Sequence, residues 1–243
     1  MPDFRFYLIT DRRNSRHDPL KILPGLARAG LRALQVREKD LEPRQLADYC
    51  TDLQAALQAA LQAGLQAGLQ AALQAGLQAA LQTATGQDEL KGGRAEPGLR
   101  MFLNDRADLA LALGLAGVHL REDSLPVARQ APALRESLLF GVSTHNLEGV
   151  RAAERGGAAF ATFGPVFPTA SKAGYGEPVG LEALAEAARA SSLPLYALGG
   201  VKPDNARLCL EAGAAGVAAI SAVWNAPDPL EALEEFRAAL GGL

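Results

Sequence analysis

The feature that most constrains this chain is an alternation repeated eight times along 243 residues. Short apolar runs closed by polar residues or glycine predict strands near Phe4 to Thr10, Leu31 to Arg37, Leu99 to Leu103, Gly117 to Leu120, Leu138 to Ser143, Ala159 to Phe163, Leu193 to Leu198 and Gly216 to Ile220. Helical patterns follow them, near Leu20 to Ala29, Pro43 to about Gln82, Ala107 to Leu113, Pro126 to Ala131, Leu147 to Arg155, Leu181 to Ala190, Asp204 to Ala212 and Pro229 to Leu240. Strand-then-helix order implies parallel strands with helical crossovers, and eight copies favour closure into an α/β (β/α)8 TIM barrel over an open sheet. The expected organisation is one barrel domain over residues 1–243.

One segment breaks the rhythm. From Leu53 to Gln82 the chain repeats Leu-Gln-Ala-Ala or Leu-Gln-Ala-Gly, with leucine at 53, 57, 61, 65, 69, 73, 77 and 81. Ala, Leu and Gln are good helix formers, so this reads as an extension of the helix after the second strand. A four-residue step turns about 400° on a helix, so each leucine drifts about 40° and the stripe winds around the cylinder. The first two or three leucines can pack on the barrel and the rest protrude or meet another chain. Residues 53–98 are therefore expected to be a low-complexity helical extension and a polar loop within the barrel, without catalytic role.

Charge narrows the partners. Lys and Arg number 24 against 27 Asp and Glu, a formal charge of -3, with no basic run able to track a phosphodiester backbone. Nucleic acid is not expected. No stretch of 18 consecutive apolar residues occurs, so no membrane span is expected, and the N-terminus lacks a signal-peptide pattern, which points to the cytoplasm. Cys50 and Cys209 read as reduced core thiols. A homodimer is left open.

In a barrel of this kind the C-terminal strand ends carry the active site, and polar residues gather there. The second strand ends Gln35-Val36-Arg37-Glu38-Lys39, and alternation sends Gln35, Arg37 and Lys39 to one side. Two cations and an amide suit an anionic ligand, although a salt bridge between Arg37, Glu38 and nearby acids is an equally ordinary use. The third strand ends Asn104-Asp105, which suits either a hard cation such as Mg2+ or a helix cap. After the sixth strand, residues 164–176 form a loop with Thr169, Ser171 and Lys172, able to close over a phosphate or to serve as plain surface. The seventh strand ends Gly199-Gly200 and the eighth Ile220-Ser221, where barrels commonly bind phosphate. Of three histidines, only His119 and His145 remain candidates for chemistry, and no zinc spacing occurs.

The segments YLITD, LQVREK, FLNDRADLALALGLAGVHL, FGVSTHNLEGV, FGPVFPTASK, YALGGV and GVAAISAV, in that order, resemble the thiamine-phosphate synthase family, which includes the TenI-type thiazole tautomerases. The resemblance implies a transferase of thiamine biosynthesis that joins hydroxymethylpyrimidine diphosphate to a thiazole phosphate and releases diphosphate with Mg2+. It implies that Gln35, Arg37 and Lys39 face the pyrimidine diphosphate beside Asn104, and that Asp105 is a metal ligand. Ser143 and Lys172 would touch the diphosphate, while Thr169, Ser171, Gly200 and Ser221 would hold the thiazole phosphate. Arg37, Lys39 and Lys172 are then the catalytic cations. The family continues its fourth strand His-x-Gly-Gln-x-Asp, whereas this chain has His119-Leu120-Arg121-Glu122-Asp123-Ser124. Ser124 takes the place of the second metal-binding carboxylate, leaving Asp123 as the nearest substitute. A tautomerase acting without metal is the alternative, though Pro165 stands where that branch can carry a histidine. A third reading is a noncatalytic sensor of thiazole phosphate.

Overall fold

The computed structural model describes residues 2–82, 98–169 and 177–243. Among them eight parallel strands close in sequence order, each paired with the next and β8 with β1. The order is β1 (Phe6–Ile9), α1 (Pro19–Arg28), β2 (Ala33–Val36), α2 (Pro43–Gln82), β3 (Arg100–Asn104), α3 (Ala107–Ala112) and β4 (Gly117–Leu120). There follow α4 (Pro132–Ser137), β5 (Leu139–Thr144), α5 (Leu147–Gly156), β6 (Phe160–Phe163) and α6 (Gly180–Ala190). The chain ends with β7 (Leu195–Leu198), α7 (Pro203–Glu211), β8 (Gly216–Ala219), α8 (Ser221–Trp224) and α9 (Pro229–Leu240). No helix among the described residues is long and apolar enough to cross a membrane.

Alternation along each strand divides two cores. Phe6, Leu8, Leu34, Val36, Val118 and Phe163 belong to the large apolar layer shared with the helices. Their neighbours Tyr7, Ile9, Ala33, Phe102, Phe160, Tyr196 and Ala218 form a second cluster with Phe4, filling the lower barrel. The inner rings fit because each faces a glycine across the ladder: Phe102 pairs with Gly117, Phe160 with Gly141 and Tyr196 with Gly216. A Cβ on those glycines would lie 2.8, 2.5 and 2.8 Å from the respective rings, so any larger residue there displaces a ring. The barrel is plugged by side chains and has no open bore. Trp224 locks the β8–β1 seam, its Nε1 donating to the Ile9 carbonyl at 2.8 Å.

Two boundaries differ from expectation. The helix expected at Pro126 to Ala131 is a single 3-10 turn at Val127–Arg129, followed by α4 beginning at Pro132. A proline disfavours helical geometry in the residue before it, and Ala131 is extended at ψ 141°, so the run breaks and Pro132 starts a new helix. The short α8 takes up Ser221, which the sequence pattern placed at a strand end. Cys50 and Cys209 are free and buried.

In α2 the leucine stripe behaves as its winding requires. Leu53 is fully buried and Leu57 packs partly against the core, while Leu61, Leu65 and Leu69 are 60, 75 and 63% exposed. Gln54 adds one tie, its Nε2 donating to the Leu113 carbonyl at 3.1 Å. Deleting residues 57–80 is therefore expected to leave barrel stability in urea within about 1 kcal/mol of the intact chain. Gly141→Ala, by contrast, should cost about 1–3 kcal/mol by overpacking against Phe160. Comparable losses in the two variants would contradict this division of the core.

Candidate active site

Above the aromatic plug the inward-facing residues change from rings to polar groups. Gln35, Asn104, His119, Ser143 and Thr162 occupy five successive strands, with Asn104 level with His119 and Ser143 level with Thr162. Gln35 Nε2 donates to Asn104 Oδ1 at 2.9 Å. The other amide atom, Gln35 Oε1, is buried without a hydrogen-bond partner. Such an acceptor costs about 1–3 kcal/mol unless something donates to it, which suits a ligand donor.

His119 sits at the centre of this layer, 2% exposed. Burial first, then the nearby Arg37 charge, holds its pKa at about 3, against a weaker opposing pull from Asp105. The ring is neutral at ordinary pH and offers one acceptor and one donor. Burial also keeps the Tyr7 phenol protonated. Tyr7 OH lies 3.4 Å from His119 Nδ1, and Ser143 Oγ lies 3.1 Å from His119 Nε2. With the phenol donating to Nδ1, Nε2–H donates to Ser143, with Thr162 Oγ1 at 3.4 Å from the same nitrogen. The Ser143 hydroxyl then keeps its own hydrogen for an acceptor above it.

The cations stand at the rim. Arg37 follows β2, its backbone N–H donating to Thr10 Oγ1 at 2.9 Å, and burial draws its pKa below the usual guanidinium value against the attraction of Asp11 and Glu38. The salt bridges here run from Arg12 to Glu38 at 3.8 Å and to Asp40 at 2.5 Å; among the described residues none includes Arg37. Glu38 is buried and accepts from the Arg12 backbone N–H at 3.1 Å. β2 ends at Val36, so of the expected common face strand alternation governs Gln35 alone; Arg37 follows the strand half-buried and Lys39 lies in an exposed turn.

Asp105 is not a helix cap. The N-cap of α3 is Arg106, without a side-chain cap bond, and Asp105 adopts φ 62°, uncommon outside glycine. Its carboxylate instead meets Arg121 Nε at 3.1 Å and accepts from the Ser124 hydroxyl. Arg121 Nε also lies 3.4 Å from Asp123 Oδ1, so one guanidinium joins both carboxylates. Arg121, Ser124 and Ser143 line one cavity of about 320 Å3. As ligands for magnesium the pair does not fit in this arrangement: both Asp105 oxygens are engaged, and no group of three or more His, Cys, Asp or Glu suited to a metal occurs among the described residues.

On the far side of the mouth, Gly199 and Gly200 follow β7 at φ 93° and 65°. A Cβ on Gly200 would lie 2.5 Å from the Pro168 carbonyl, so glycine is what lets the β6 loop close against this turn. Phe167 N–H donates to the Gly199 carbonyl at 3.0 Å, seating the stem of the loop that carries Thr169. Ser221 opens α8. Ser171 and Lys172 lie outside the described residues. His145 precedes the Asn146 cap of α5, its Nδ1–H donating to the Gly164 carbonyl and its Nε2 3.8 Å from Glu122. Sequence reasoning passed over Tyr7 and Thr162; their signal is the register that puts them on the same inner face as His119.

The sequence profile of the thiamine monophosphate synthase family matches residues 79–223. The chain belongs to that family. A Geobacter sulfurreducens homologue of thiamine-phosphate synthase is 40% identical over 98% of this chain and 95% of its own length. Thiamine-phosphate synthase of Roseiflexus sp. (strain RS-1) is 34% identical, with coverage of 96% and 84%. Among solved structures, thiamine phosphate pyrophosphorylase from Pyrococcus furiosus superposes with TM-score 0.71 at 27% identity, covering 98% of this chain and 95% of that one. This family member is thus an enzyme fold whose mouth combines a buried amide, a neutral histidine and rim cations.

The histidine makes stability depend on pH. An unfolded histidine titrates near 6.5 and His119 near 3, so between these values the unfolded chain binds the extra proton. Stability from this source is complete above about pH 6.5 and is lost as pH falls toward 3. Urea denaturation at pH 7 and pH 5 should show a larger loss for the natural chain than for His119→Asn. Equal losses would mean that His119 is not held neutral.

Proposed function

We propose that this chain condenses hydroxymethylpyrimidine diphosphate with a thiazole phosphate, forming thiamine phosphate and releasing diphosphate. The observation that carries the reading is the buried, unpartnered Gln35 Oε1, an acceptor for an N–H on a flat heterocycle, with the half-buried Arg37 two residues further on to meet the anion attached to it. Membership of the synthase family supports the same substrates.

In this reading Asn104 holds the Gln35 amide so that its oxygen meets the pyrimidine. The bond from the pyrimidine methylene carbon to the diphosphate oxygen breaks with its electron pair leaving on the diphosphate. The resulting cation is captured by the thiazole nitrogen. Such a reaction needs preorganised positive charge on the leaving group more than it needs a base. Arg37, Lys39 and Lys172 supply that charge. Ser143, its hydroxyl hydrogen turned away from His119, donates to a diphosphate oxygen. Thr169 and Ser171 bind the thiazole phosphate with Gly200 and Ser221, where the glycine turn brings loop and barrel together.

The second reading, a TenI-type tautomerase of a thiazole carboxylate phosphate, draws support from the same Arg121 contacts, since that isomerisation asks for no metal. It lacks a histidine at Pro165.

The test is thiamine phosphate formation from the two substrates by the natural chain, Arg37→Ala and Lys172→Ala. Each variant is expected to lose at least about tenfold in rate, about 1.4 kcal/mol, with an unchanged melting temperature. Full activity in both variants would remove the diphosphate assignment.

A further inference from the structure

The two carboxylates named as metal ligands are already closed around a cation that the chain carries itself. Asp105 Oδ2 lies 3.1 Å from Arg121 Nε, Asp123 Oδ1 lies 3.4 Å from the same atom, and Ser124 donates to Asp105 Oδ1. The turn that delivers these groups is tied at both ends: Arg121 N–H donates to Ser124 Oγ at 3.1 Å and Ser124 N–H to the Arg121 carbonyl at 3.2 Å. Asp105 is aimed at it by its left-handed backbone, with its N–H on the His119 carbonyl at 2.9 Å. Magnesium requires bare oxygens at about 2.0–2.1 Å in near-octahedral array, which these engaged carboxylate oxygens do not offer.

Three positions within four residues depart from the family's His-x-Gly-Gln-x-Asp pattern: Arg121 stands at the glycine, Glu122 at the glutamine and Ser124 at the aspartate. Arg121 adds a positive charge, Ser124 removes a negative one and Glu122 adds a negative one, a net gain of one positive charge, which sits on the guanidinium between the two carboxylates.

We infer that Arg121 clasps Asp105 and Asp123 closed to a divalent cation in this chain, so that a diphosphate is held by protein cations alone. This deepens the proposed condensation and rests on it. Both ion pairs use Nε, and a guanidinium has four further N–H donors, matched in geometry to phosphate oxygens. Arg121 and Ser143, the residue whose hydroxyl is assigned to the diphosphate, line the same cavity.

The test uses the full chain and two probes, Mn2+ followed by electron paramagnetic resonance and inorganic diphosphate followed by calorimetry. The natural chain should show no saturable Mn2+ site, whereas the double variant Arg121→Ala with Ser124→Asp should gain one that a further Asp105→Asn removes. Diphosphate should bind the natural chain in EDTA, and Arg121→Ala should weaken it at least tenfold. A saturable Mn2+ site in the natural chain that Asp105→Asn abolishes would overturn the clasp, as would unchanged diphosphate affinity in Arg121→Ala. A chain that binds diphosphate neither in EDTA nor with Mg2+ would instead sink the condensation reading, with the Mn2+ result still deciding whether the clasp excludes metal.

Discussion

Everything at the mouth depends on how the lower barrel is filled. Three aromatic rings, Phe102, Phe160 and Tyr196, each lie over a glycine of the neighbouring strand, and Phe4 and Tyr7 complete the plug. Aromatic pairs with centroids 5.0–5.6 Å apart leave little freedom for sliding, as Phe4–Tyr196 and Phe4–Phe160 illustrate. Because register in a sheet moves every side chain at once, this steric match also sets the height of the polar layer above it.

That layer couples the core to the mouth. Tyr7 belongs to both, its ring in the plug and its hydroxyl 3.4 Å from His119. Through His119 the chain fixes which way the Ser143 hydroxyl can point, and through Asn104 it fixes Gln35. The proposed chemistry needs a site already polarised when substrate arrives, and side chains anchored on strands and locked by neighbours provide that better than loops do. Rim loops then add charge: Arg37 just past β2, and Arg121 just past β4.

The eight-fold alternation made the barrel legible from sequence, and Gln35 was legible with it, because hydrophobic periodicity is a local signal. Strand alternation ends at Val36, so it places Gln35 but neither Arg37 nor Lys39, whose positions depend on the chain that follows the strand. Asn104-Asp105 looked like a cap because both types favour that position, yet the left-handed Asp105 moves the helix start on to Arg106. The histidine network could not be read, since no single strand contains it; it exists only once Asn104, His119, Ser143 and Thr162 are brought level by pairing. Arg121 was visible as a departure from the family pattern, but its contact with two carboxylates depends on a turn that charge pattern does not encode.

The account's central claim is that this mouth performs a condensation. The most direct measurement is to give one preparation both substrate sets, the pyrimidine diphosphate with thiazole phosphate and the isomeric thiazole carboxylate phosphate, and to follow phosphorus resonances. The account predicts thiamine phosphate and free diphosphate appearing in equal amounts, with the carboxylate isomer left unchanged. Isomerisation of the carboxylate with no thiamine phosphate formed would contradict it.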